Sequence, residues 1–183
     1  MKLRIISEIR DVDILNKVVE TVAEIFKIKA YYTIVDKIVE STEYDNKRHQ
    51  YDAARIIERL KQLQTVKEGH ELILLITDKD LYVDDLNFVF GYAPYPVGIV
   101  STCRLNPEFY GQKFEVSIFV KRLLTEVIHE LGHLIGLKHC SNPVCVMYFS
   151  STILDTDRKS MYPCPRCMAL ATENINRLSP GDM

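Results

Sequence analysis

Residues 116–137, VSIFVKRLLTEVIHELGHLIGL, constrain this chain more than any other stretch. Apolar residues recur there at helical spacing over about six turns, and the run ends in a segment containing glycine, so it is the longest helix the sequence defines. Three of the five histidines, His129, His133 and His139, fall on its last turns or just past them, and Cys140 follows at once. The chemistry therefore sits at the end of a long helix.

His129 and His133 are four residues apart, which on a helix places both side chains on one face, where they can bind one metal ion together. Glu130 lies beside them. HExxH alone arises by chance in on the order of one chain in a few hundred of this length; extending it to HExxHxxGxxH, with Gly136 and His139, lowers that to roughly below one in a hundred thousand. Gly136 has a physical task, because a residue free to take positive φ can stop the helix and swing the chain so that His139 approaches the metal. Three neutral imidazoles and a water make a four-coordinate zinc site with one exchangeable position, as catalysis requires.

The front half reads as strand–helix–strand–helix–strand: KLRIISEI (2–9), ILNKVVETVAEIFKI (14–28), YYTIVDKIVE (31–40), YDAARIIERLKQLQ (51–64, with Ile56, Ile57, Leu60 and Leu63 inward) and ELILLITD (71–78). The last is a nearly continuous apolar run, expected of a strand covered on both faces. This order predicts right-handed crossovers and a mainly parallel sheet. NFVFGYA (87–93) and IVSTCRL (99–105), joined through PYPVG, then predict two further strands, at least one of them antiparallel. Residues 140–183 show little periodicity, three prolines before Pro180, and four cysteines.

Two short-spaced cysteine pairs, Cys140/Cys145 and Cys164/Cys167, flank a loop of the size that closed four-cysteine zinc sites use. The histidine and cysteine sets are disjoint and complete, so two zinc ions per chain are expected, one catalytic and one structural. His139 and Cys140 are neighbours, with Cα atoms about 3.8 Å apart, which links the two sites mechanically. Cys103 reads as a buried strand thiol, His49 and His70 as surface or loop histidines, and Arg158, Lys159 and Arg166 as a solvated basic face.

Composition excludes several classes. At 183 residues, 47% hydrophobic and 26% charged, the chain fits one globular domain: 1–139 as an upper part ending in the zinc-binding helix and third histidine, 140–183 as a small subdomain. A net charge of −2 and a pI near 6.2 give no reason to expect a nucleic-acid partner. The opening MKLRIISEIRDVDIL interrupts its apolar residues with charges, unlike a signal peptide, and no run is long and apolar enough to span a bilayer. The expectation is a cytoplasmic protein whose cysteines hold metal.

The stretch HExxHxxGxxH resembles the metzincin clan of zinc peptidases. Carried over by position, the resemblance implies His129, His133 and His139 as zinc ligands and Glu130 as the general base that activates the zinc-bound water. It also implies that Met147, in CVMY, forms a methionine turn beneath the imidazoles. Some clan members have a tyrosine two residues after that methionine; here the position is Phe149 and Tyr148 is one place off, so the tyrosine role is not transferred. The fuller pattern HExxHxxGxxHC-x4-C-x-M with a late CxxC, residues 129–167, is similar to the archaemetzincins. That resemblance implies a metzincin-like α/β fold, a five-stranded mixed sheet above the cleft, and an antiparallel edge strand, for which NFVFGYA is the candidate, that pairs with extended peptide.

The leading reading is a zinc metallopeptidase acting on peptides or unstructured proteins, as endopeptidase or as aminopeptidase. For the latter, Asp84, Asp85 or Glu108 could hold the substrate amine. One alternative is a three-histidine zinc endoribonuclease, against which Glu130 and the acidic balance both argue. Another is a binding or scaffold protein with structural zincs and an idle cleft.

Overall fold

ELILLIT, predicted as a strand buried on both faces, is the centre of the sheet. This computed structural model describes residues 1–62 and 71–178. The chain order is β1 Lys2–Ser7, α1 Val12–Phe26, β2 Lys29–Ile34, β3 Tyr44–Asp45, β4 Gln50–Asp52, α2 Ala53–Gln62, β5 Glu71–Thr77, β6 Leu81–Tyr82, β7 Gly91–Tyr92, β8 Val97–Ser101, α3 Val116–Leu134, α4 Ile153–Arg158 and α5 Pro165–Leu178. The main sheet has five strands in the order β2-β1-β5-β8-β7. The first four are mutually parallel, and β7 closes the edge antiparallel to β8, with Gly91 opposite Val100. The protein is thus a mixed α/β fold with the predicted antiparallel edge.

Alternation along β5 sends Leu72, Leu74 and Ile76 to one face and Ile73 and Leu75 to the other, and all five are buried. The first set packs under α1 and α3 in one core, with Leu15, Val18, Val22, Leu123, Val127 and Leu131. The second meets Ile56 and Ile57 of α2. α1 starts where Asp11 accepts the Ile14 N–H, and it ends at Lys27 in the left-handed conformation.

Several boundaries differ from the sequence reading. The second strand stops at Ile34 instead of running to 40. The strand expected over 99–105 starts at Val97, in register with Ile73, and residues 103–105 form a 3₁₀ turn. Of 87–93, only Gly91–Tyr92 joins the sheet, while Val89 bridges back to Leu81. A second small sheet, β3-β4-β6, was not predicted, because two- and three-residue strands carry no periodicity. Residues 140–183 also hold more helix than expected. Thr152 and Asp155 form a reciprocal cap that starts α4. Pro165 opens α5, whose buried face is made of Cys167 and Ala171, too small to register as an apolar stripe, with Ile175 half-buried beside them. Leu63, Gln64 and His70 lie outside the described residues.

Candidate active site and metal centres

α3 is buried over most of its length, and its last two turns carry His129, Glu130 and His133. The helix stops at Leu134, three residues before the expected end at 137, and the chain turns at Gly136, which has φ +92°; the Gly136 N–H reaches His133 O, and Leu137 N–H returns to Gly132 O. The turn brings His139 back, so that His133 Nε2 lies 3.2 Å from both His129 Nε2 and His139 Nε2. Each of the two helical imidazoles is oriented from behind: His129 Nδ1 donates to Val146 O at 2.7 Å and His133 Nδ1 to Leu137 O at 2.9 Å. A carbonyl has no proton to give, so Nδ1 carries the hydrogen and Nε2 turns a lone pair inward. Burial pushes the pKa of all three imidazoles down, furthest for His129, and keeps them neutral. Tetrahedral coordination at about 2.0–2.1 Å requires nitrogens about 3.3–3.4 Å apart, close to the observed separations. Facing lone pairs at this distance repel unless a cation lies between them, so the group fits a zinc ion.

Glu130 is buried beside the histidines, and burial, then the Glu126 carboxylate one turn earlier, push its pKa well above the usual carboxylate range. A neighbouring dication acts in the opposite sense. The edge strand passes so close that a Cβ on Gly91 would sit 2.5 Å from Glu130 Cγ and Oε1; only glycine fits there. Gly132 is equally constrained, since a Cβ on it would lie 2.4 Å from Met147 Sδ. Neither glycine was singled out from the sequence, although a glycine inside a strand run or a helix interior is itself a signal of close approach. Histidines, Glu130, Gly91 and Phe149 line one cleft of about 420 Å³ under β7.

Met147 is fully buried, and its segment serves both groups: Val146 O orients His129, Met147 O accepts the Cys140 N–H, and Cys145 belongs to the cysteine cluster. The Sγ atoms of Cys140, Cys145, Cys164 and Cys167 all lie within 4.8 Å of one another, with Cys140 and Cys164 4.0 Å apart. Four thiolates on zinc at about 2.3 Å would stand about 3.8 Å apart. All are free thiols. The Cys167 N–H pulls the Cys164 pKa down to about 7, whereas burial pushes Cys167 and Cys145 up. Backbone N–H groups also point at sulfur, from Cys164 to Cys145 and from Asn142 to Cys140. The donor set suits zinc.

Other sequence candidates fall elsewhere. Asp84, Asp85 and Glu108 are exposed and do not line the cleft, whose acidic residues among the described ones are Glu126 and Glu130. Phe149, not Tyr148, faces the site, its ring 5.0 Å from that of His139. Cys103 is half-buried in the 3₁₀ turn after β8 instead of in a strand. His49 is exposed. Arg158 and Arg166 are solvated as expected, but Lys159 is a correction: its side chain is fully buried against Glu126.

A long helix bearing two imidazoles and a glutamate, with a third imidazole returned to them by the turn at Gly136, under the antiparallel edge of a mixed sheet, defines a zinc-dependent metallopeptidase. Comparison narrows the class. The sequence profile of Peptidase family M54 matches residues 1–173. Archaemetzincin from Pyrococcus furiosus is 40% identical over 75% of this chain and 72% of its own length, and archaemetzincin from Saccharolobus solfataricus is 36% identical over 76% and 79%. A solved zinc-dependent peptidase from Methanocorpusculum labreanum superposes with a TM-score of 0.81 at 31% identity, covering 93% of this chain and 100% of that one. Archaemetzincin from Methanopyrus kandleri gives 0.80 at 33%, covering 97% and 96%. The chain belongs to Peptidase family M54, the family of the archaemetzincins, and is a zinc metallopeptidase acting on peptides. Among the described residues, no helix is long and apolar enough to cross a membrane.

Proposed function

We propose that His129, His133 and His139 hold a catalytic zinc, that Cys140, Cys145, Cys164 and Cys167 hold a structural zinc, and that Glu130 is the general base of peptide hydrolysis. The observation that carries this reading is the convergence of three inward-facing Nε2 atoms, with Glu130 on the adjoining face, in one cleft below the free edge of β7. When bound, the catalytic ion supplies Lewis acidity, which lowers the pKa of a water to about 7. Glu130 takes the proton of the attacking water and returns it to the departing amine. Among the described residues β7 is the edge strand of the main sheet, so an extended peptide adds to it as an antiparallel strand, and Gly91 lets β7 itself lie directly over Glu130.

Met147 forms the turn under the imidazoles, and Gly136 places the third of them. In this reading 1–139 is the upper part of one catalytic domain and 140–183 a small subdomain organised by the second zinc. The five free thiols suit a reducing compartment, and we place the protein in the cytoplasm. An aminopeptidase needs an unpaired acid in the cleft; the candidate acids lie outside it and Glu126 is paired with Lys159, which favours endopeptidase action. Purified enzyme should cleave members of a proteome-derived peptide library, lose that activity with chelator, and lack it as Glu130→Gln. Near-parental activity of Glu130→Gln would end the general-base assignment.

A further inference from the structure

Lys159 is the largest of the fully buried side chains, yet nothing in the hydrolytic chemistry uses it. It caps α4, its backbone N–H donating to Asp155 O at 3.0 Å, and its Nζ turns inward. There it meets Glu126 Oε1 at 3.1 Å and donates to Tyr148 O at 3.2 Å. Glu126 Oε1 also accepts from Thr156 Oγ1 at 2.8 Å.

These contacts join two boundaries of the cleft. Glu126 lies on α3 one turn before Glu130 and lines the cleft floor, while Phe149 and Ser150, directly after Tyr148, line its wall. One ammonium thus ties wall to floor and compensates the one cleft carboxylate besides Glu130 among the described residues. Apolar residues of similar volume would hold the fold at least as well as a buried ion pair, so what the pair adds is direction and charge compensation.

We propose that Lys159 is a positioning residue for substrate selection: it fixes Glu126 against the 148–150 wall and cancels its charge, so that the cleft beside the scissile bond accepts uncharged side chains. This rests on the peptidase reading. Removing the ammonium leaves a carboxylate facing the cleft, which attracts cationic side chains; removing the carboxylate leaves an ammonium, which repels them.

The test compares kcat/KM for peptides carrying Lys or Arg with those carrying Leu or Phe on either side of the scissile bond. In Lys159→Met the cationic-to-neutral ratio should rise at least about tenfold, and in Lys159→Met/Glu126→Gln it should return towards the parent. A purely structural role would slow every peptide by one factor and leave the ratio unchanged. Should Lys159→Met fail to fold, the near-isosteric Glu126→Gln should lower the same ratio at least about threefold. A ratio within about twofold of the parent in whichever variant folds with its metals overturns the proposal. A parent enzyme that cleaves no peptide overturns the peptidase reading and this inference together, whereas cleavage with unmoved ratios overturns this inference alone.

Discussion

The histidine and cysteine groups share a chain segment but stand on different kinds of support. Two of the three histidines project from α3, whose Leu123, Val127 and Leu131 are wholly buried in the main core, so the helix is in place whatever occupies its end. The cysteines come from a loop and from the start of α5, in a region that adds little more than Val146, Met147 and Ala171 to the fully buried apolar residues. Protein carbonyls orient the first group, and backbone N–H groups face the second. The fold builds the histidine group, whereas the cysteine group has to help build the fold around it. A structural zinc supplies an apparent binding free energy of about 10–16 kcal/mol in peptide hosts, far more than so few apolar side chains contribute.

The largest effect should come from chemistry alone. Glu130→Gln is expected to lower kcat by about 10²–10⁴ while elemental analysis still finds two zincs per chain. His133→Ala should instead lose one zinc and keep the cysteine-held one. A parent stoichiometry of one zinc would remove one of the two groups from the comparison.

Next in size is the coupling between the groups. Cys164→Ser should lose the structural ion, expose residues 140–167 to proteolysis, and weaken catalytic-zinc affinity by about 10–100-fold, because Val146 and Met147 lose their anchor. Unchanged affinity and turnover would make the cysteine group an independent appendage.

Gly132→Ala tests the contact from the other side. It should destabilise by about 1–3 kcal/mol in chemical denaturation, since Met147 Sδ must move and the interior is close-packed. A stabilised variant, as alanine's helix propensity alone would give, would show that Met147 yields freely.

The smallest effect is a pH dependence. Burial depresses the folded-state pKa of the three histidines, so in chelated protein their contribution is full above the unfolded value of about 6.5. It is lost as pH falls through the lower folded values. Glu130, shifted upward, titrates with the opposite sign, so the measurement belongs in the Glu130→Gln background. Stability of that chelated variant rising as pH falls from 6.5 to 5 would contradict imidazoles held neutral by desolvation.

The sequence by itself determined what short-range physics encodes. The spacing of His129 and His133, the positive φ at Gly136, the doubly buried β5 and the β–α order of the front half all follow from periodicities and single-residue preferences within one element. Only the tertiary structure decided what depends on which faces meet. Lys159 has the composition of a surface residue and becomes buried because α4 turns it onto Glu126, 33 positions away in the chain. Gly91 and Gly132 matter because Glu130 and Met147 approach them, and nothing in their own neighbourhoods names those partners. α5 has a face of small residues that becomes a core face only where Cys167 and Ala171 close against the cluster around Met147. A local pattern is written in consecutive residues, whereas burial, close approach and charge pairing are properties of two surfaces, and the chain states only one of them at a time.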